Sequence, residues 1–128
     1  MPQGFSSWLQ PKILSVEDDS VSIEVKVRPE MCNPIGTLHG GIHGAILDEL
    51  AGMMVAIMGN ETHFVSVNMT IDFLRVARSG ETVVASCRTL KAGRNRIHII
   101  GQLTDMDGKE LSRAAVNMIS NGMPMMKM

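Results

Sequence analysis

The chain has 128 residues, 45% of them hydrophobic and 20% charged, which is the size of one domain built on one core. With 12 Lys and Arg against 13 Asp and Glu, the formal net charge is -1, so no basic field exists of the kind that holds nucleic-acid phosphates. The apolar inventory is lopsided: 12 Met, three Phe, one Trp and no Tyr leave a core of aliphatic and thioether side chains and almost no platforms for stacking bases.

The first ten residues, MPQGFSSWLQ, carry neither the basic nor the apolar segment of a secretory signal. The longest apolar stretch, residues 50–58, is about half of what a membrane span requires. Cys32 and Cys87 are too few for a disulfide framework and read as free thiols. The expectation is a cytoplasmic protein without a membrane span. Strand signals then follow in order. Residues 13–17 and 21–27 come first, the second alternating without a break through Val21, Ile23, Val25 and Val27. After the helical segment described next, residues 65–73 alternate again, with Ser66, Asn68, Thr70 and Asp72 assigned to one face. Residues 82–90, 96–104 and 110–120 complete six strands, separated by turn signals at Ser79-Gly80, Ala92-Gly93 and Asp107-Gly108. A Met-rich tail from about residue 121 reads as frayed.

One segment, residues 41–58, changes to helical spacing behind a loop carrying Pro29, Pro34, Gly36, Gly40 and Gly41. Projected as a helix, Ile42, Ile46, Leu50, Met53 and Ile57 form a bulky stripe, and Gly44, Ala45, Ala51, Gly52 and Ala56 fall on the other side. Such a helix is apolar on nearly every side and is expected to be buried. A single buried helix among six strands implies a sheet wrapped around it: an α+β domain with the hotdog architecture, spanning residues 1–128 as one unit. Met53, Met54, Met58 and Met69 are expected to fill the space between helix and sheet.

Asp48 falls among the small residues of this helix, where another backbone or a ligand can come close. A carboxylate there must be paired or face a wet cleft, because burying it alone is costly. Glu49 borders the bulky stripe and reads as a structural hydrogen-bond partner. The loop ends at the helix N-terminus, where unpaired N–H groups and the positive dipole end can polarise a carbonyl. Gly40 and Gly41 allow close approach there, and Asn33 and His39 add side-chain donors. Each also has a plainer reading: Asn33 as a turn residue, His39 as a helix cap.

The run Asn33-Pro34-Ile35-Gly36-Thr37-Leu38-His39-Gly40-Gly41, with Asp48 following, resembles the signature of hotdog-fold acyl-CoA thioesterases. Within them it is most similar to the phenylacetate-pathway, PaaI-like type that includes thioesterase superfamily member 2. The resemblance implies Asp48 as base or nucleophile, Gly40 N–H on the thioester carbonyl, and Asn33 positioning thioester or water beside His39. Val65-Ser66-Val67-Asn68-Met69 matches the family setting of a water-orienting Ser, which implies Ser66. It further implies contacts to CoA through Gly41 and through the loops bearing Arg75, Arg78, Lys91, Gly93, Arg94 and Arg96. The site would lie across the interface of a homodimer, itself able to pair into a dimer of dimers.

Thioester hydrolysis needs a carbonyl polariser, an activated water or a carboxylate nucleophile, and a thiolate leaving group that needs little acid help. No metal or redox cofactor enters, since CoA is part of the substrate. His39 and His43 are four residues apart but lack the H-E-x-x-H pattern of a zinc site. Two other readings stay open. One is a non-catalytic acyl-CoA sensor on the same fold. The other is a hotdog hydratase or dehydratase, whose His-Phe-Pro stretch is absent here.

Overall fold

The computed structural model describes residues 4–124. Its elements are helix α1 (Phe5–Leu9), strands β1 (Lys12–Val16) and β2 (Ser20–Lys26), a single 3-10 turn at Pro29–Met31, and helix α2 (Gly40–Ile57). Strands β3 (Thr62–Phe73), β4 (Thr82–Ala92), β5 (Arg96–Asp105) and β6 (Glu110–Pro124) follow. All six strands join one antiparallel sheet in the order β1-β2-β4-β5-β6-β3. The long helix packs on it, which is the expected α+β hotdog architecture. Strand β6 continues past residue 121 to Pro124, where Thr62 pairs with it. The remainder of the Met-rich tail lies outside the described residues.

Alternation places the core as the sequence suggests. Val21, Ile23 and Val25 on β2, Val83, Ala85 and Cys87 on β4, and Ile97, Ile99 and Leu103 on β5 are buried beneath the helix. Burial pushes the Cys87 thiol up to about 12, so it is an inert filler. The helix itself is turned from expectation. Its buried stripe is His43, Ile46, Leu47, Leu50, Ala51, Met54 and Val55, whereas Ile42 and Met53 are half-buried and Ile57 is exposed. Gly41, Asp48, Gly52 and Ala56 are exposed along the opposite side. So α2 is not enclosed all round. One sheet covers only one side of a helix, and the uncovered side is the small-residue one. By length and composition α2 is apolar enough to cross a bilayer. Its buried stripe on the sheet gives a second reason for that apolarity. Of the methionines on α2 and β3, Met54 is fully buried, and Met53, Met58 and Met69 pack against the core from its margin.

Helix α1 carries no periodic signal in the sequence, being too short for one. Arg28 holds it instead. The guanidinium donates to the carbonyls of Trp8 and Leu9, the otherwise orphaned acceptors at the helix end, and lies 4.8 Å from the Trp8 ring centroid. Leu9 is fully buried, and Phe5 meets Trp8 at 5.5 Å between ring centroids. Trp8 is the only tryptophan, so its emission reports on α1 alone. Arg28→Ala is expected to red-shift that emission, raise its quenching by acrylamide and cost about 1 kcal/mol in a denaturant titration.

Candidate functional site

The helix N-terminus sorts its free N–H groups by capping. Asn33 closes the preceding loop on itself. Its amide nitrogen donates to Thr37 Oγ1 at 2.8 Å, its amide oxygen accepts from Thr37 N–H at 3.1 Å, and its own N–H reaches the Thr37 carbonyl. Within this chain Asn33 is thus the staple of the loop. Leu38 N–H donates to the Ala77 carbonyl and Thr37 bridges to Arg78, which ties the loop to the segment after β3. His39 is the N-cap, its Nδ1 accepting from Gly41 N–H at 2.9 Å. An accepting Nδ1 carries no proton, which leaves the ring proton on Nε2 as an outward donor.

This cap separates two glycines that the sequence treats alike. The Gly41 N–H is spent on His39, so of the two glycines Gly41 has no free N–H to offer a ligand while the cap is made. The Gly40 N–H has no acceptor among the described residues. It stands at the positive end of an 18-residue helix, the place where a polarised carbonyl oxygen is stabilised. A Cβ on Gly40 would stand 3.4 Å from the Phe73 ring, in contact with it.

Asp48 is exposed, not buried, and so needs no compensating partner in the core. It does have one partner: Ser66 Oγ donates to its Oδ1 at 2.5 Å. Strict alternation would put Ser66 with Asn68, Thr70 and Asp72 on the far side of the sheet, as the sequence reading has it. The pairing corrects this. Ser66 faces Met118 and Asn68 faces Asn117, so Val67 is an extra residue in β3, a bulge that reverses the phase and turns Ser66 toward the helix. Asp48, Ser66, Gly41, Gly44, Ala45, Val67, Asn68 and Met69 line a shallow open groove of about 370 Å³.

Two groupings are not brought together within the chain. Asp48 and Gly40 lie eight residues apart on one helix, about 12 Å along its axis, so they cannot act on one carbonyl within one chain. Arg75 and Arg78 sit at the Gly40 end of α2, next to the Thr37 loop. Lys91, Gly93, Arg94 and Arg96 sit at the other end, where Thr89 Oγ1 reaches the Met58 sulfur. All four Arg and Lys91 are exposed, and Arg75 donates to the Glu110 carbonyl.

Two buried or half-buried polar contacts escape the sequence reading in part. Glu49 accepts from Ser6 of α1, the structural partner expected of it. Burial and then the neighbouring Asp48 charge raise its pKa. His43 is buried, with Nδ1 at 2.8 Å from the fully buried Ser112 Oγ and its ring edge-on to Phe73 at 5.4 Å. Ser112, an inward-facing hydroxyl on β6, was the available signal, and nothing local marks His43 as its partner.

Burial lowers the His43 pKa from 6.5, favouring the neutral ring. The unfolded chain therefore binds the extra proton more readily. The stability that neutral His43 supports is present above pH 6.5 and falls as the pH drops below it. Melting temperature measured from pH 7.5 to 5.0 is expected to decline, with a smaller decline in His43→Phe, which has nothing to protonate there.

The thioesterase superfamily model matches residues 35–112 of the chain, from the loop before α2 to Ser112 on β6. Human acyl-coenzyme A thioesterase 13 is 34% identical over 82 residues, which make up 64% of this chain and 59% of that protein, so the match spans about three fifths of the relative's length. Zebra fish thioesterase superfamily member 2 superposes with a TM-score of 0.86 at 28% identity, covering 94% of this chain and 88% of that one. The PaaI protein of the E. coli phenylacetic acid degradation operon has the same fold, with a TM-score of 0.86 at 19% identity and coverage of 94% and 86%.

Proposed function

The chain belongs to the thioesterase superfamily, and from that premise we propose that it hydrolyses acyl-CoA thioesters to a free acid and CoA, with Asp48 and Gly40 as the working groups. One observation carries the reading: a solvent-facing Asp48 held by Ser66 on the same bare helix that ends in an unspent Gly40 N–H. The similarity to human acyl-coenzyme A thioesterase 13 supports the substrate class.

The thioester oxygen accepts from Gly40 N–H, which stabilises the charge that develops on it. Asp48 then either takes a proton from the attacking water or attacks the carbonyl itself to form an anhydride that water opens. In both routes the C–S bond breaks, the sulfur leaves as thiolate, and one water is consumed. Ser66, donating to one Asp48 oxygen, leaves the other free and offers its own lone pairs to the water. His39 Nε2–H and the remaining Asn33 amide hydrogen are the nearby donors for orienting the thioester.

Since about 12 Å of helix separates Asp48 from Gly40, the proposed site is shared by two copies. The exposed line of Gly41, Asp48, Gly52 and Ala56 permits close helix contact, and β3 lies at the sheet edge with Val65 and Val67 exposed. Two antiparallel α2 helices would set Asp48 of one protomer beside Gly40 of its partner. Such dimers can pair again into a dimer of dimers, and CoA phosphates would be held by the exposed Arg and Lys residues of the loops.

A thiol-release assay on a panel of acyl-CoA thioesters tests the activity. Turnover is expected in wild type, with a loss of about 10²-fold or more in Asp48→Asn. Absence of turnover on every thioester, or full activity in Asp48→Asn, overturns it; CoA binding without turnover favours the sensor reading. The shared site has its own test. Gly40→Pro removes the N–H while keeping the backbone, because proline suits a first helical position and the His39 backbone (φ -61, ψ 137) already suits a residue before proline; its Cβ stands in contact with the Phe73 ring at 3.4 Å. Mixed refolding of inactive Gly40→Pro and Asp48→Asn chains is expected to restore up to about a quarter of wild-type activity, one intact site in each mixed dimer. No restoration overturns the shared site.

A further inference from the structure

We propose that Ser112, His43 and Phe73 form a prop that holds Gly40, and with it the carbonyl-polarising N–H, in place; the catalytic consequence rests on the function proposed above. The contacts run without a gap. Ser112 and Phe73 are directly paired across β6 and β3. Ser112 Oγ fixes the His43 imidazole through Nδ1 at 2.8 Å. The imidazole meets the Phe73 ring edge-on, with planes at 85° and centroids 5.4 Å apart. Two ring carbons of Phe73 lie 3.4 Å from the position of a Gly40 Cβ, so one Gly40 Hα points at that ring.

Each member is an odd choice for a residue that only fills space. His43 is a polar side chain on the buried stripe of α2, where Ile46, Leu47 and Leu50 follow it. Ser112 is a fully buried hydroxyl on a strand whose other inward positions are Ala114, Val116 and Met118. The hydrogen bond between them gives the Ser112 hydroxyl and His43 Nδ1 a partner and fixes the rotation of the imidazole, a constraint that a leucine at position 43 would lack. Phe73, half exposed at the end of β3, has the fixed ring on one side and the Gly40 backbone on the other. A glycine at the first helical position has no side chain to anchor it and the widest backbone freedom. The ring supplies the missing contact. These are positioning residues, because Ser112 and His43 are buried and the Phe73 side chain has no polar atom.

Two substitutions separate the parts: Ser112→Ala removes the hydrogen bond and keeps the ring, while His43→Asn keeps a nitrogen within reach of Ser112 and removes the ring. Two measurements are made on each. In a two-dimensional NMR spectrum of the protein, the Gly40 Hα shift reports the ring current of Phe73. It is expected to move toward an unperturbed glycine value in both variants, and Phe73→Leu gives the reference for a lost ring. In the thiol-release assay, kcat per folded molecule is expected to fall about tenfold to a hundredfold with KM changed less than about twofold, since misplacing a polariser costs rate rather than binding. An unchanged Gly40 shift overturns the prop. So does a lowered melting temperature with unchanged kcat, which marks a packing role only. If wild type turns over no thioester, the proposed function fails on that result, and the Gly40 shift still decides whether the prop exists.

Discussion

The structure turns on a helix covered on one side only. The stripe from His43 to Val55 gives α2 its place in the curl of the sheet, and burial of Ile46, Leu47, Leu50 and Met54 provides most of the contact that keeps it there. Among the described residues nothing covers the line of Gly41, Asp48, Gly52 and Ala56. A helix with two apolar sides and one sheet leaves the second side unmet, and here that side is made of small residues. Small residues keep the bare surface shallow and let Asp48 stand clear of side-chain walls. The exposed carboxylate and the buried stripe are therefore two results of one packing decision.

At the helix start, the same economy governs hydrogen bonds. An α-helix begins with orphan N–H groups that something must satisfy. Here His39 takes the Gly41 N–H, while the His39 carbonyl accepts from Ile42 and His43. Gly40 is passed over. A cap of Ser or Asp would satisfy a similar N–H, but His leaves a second ring nitrogen pointing outward as a donor. The loop before it is closed by Asn33 and Thr37 and tied to Ala77 and Arg78, so the cap is held from both sides.

What the sequence made legible follows from what is local. The alternation in β2, β4 and β5, the turns at Gly80 and Gly108, and the change to helical spacing near Gly40 are all encoded within a few residues, and the architecture follows from their order. The resemblance of the loop before α2 implied Asp48 and Gly40, that of residues 65–69 implied Ser66, and of these Asp48 and Ser66 are in contact. Features that depend on distant pairing were hidden. Val67 looks like one more strand residue until β6 is laid beside it, and only then does the bulge turn Ser66 to the helix. Helix α1 rests on Arg28, about twenty residues on, which no window over residues 5–9 contains. The rotation of α2 is not legible in the sequence because residues of both sizes on it are apolar, so hydropathy alone does not say which side meets the sheet.

The two basic clusters raise the last question of arrangement. Within one chain, Arg75 and Arg78 stand at the start of α2 and Lys91, Arg94 and Arg96 near its end, about 27 Å apart along 18 residues of helix. A single CoA meeting Gly40 would touch only the first pair in the same protomer. Under the proposed antiparallel pairing, with Asp48 beside the partner's Gly40, the far end of the partner's α2 runs about 14 Å past the near end of this one and carries the partner's β4–β5 turn to that side. The requirement that brings Asp48 to Gly40 thus also brings the second basic cluster toward the first. One two-fold axis accounts for both separations, whereas a site confined to one chain leaves each unexplained.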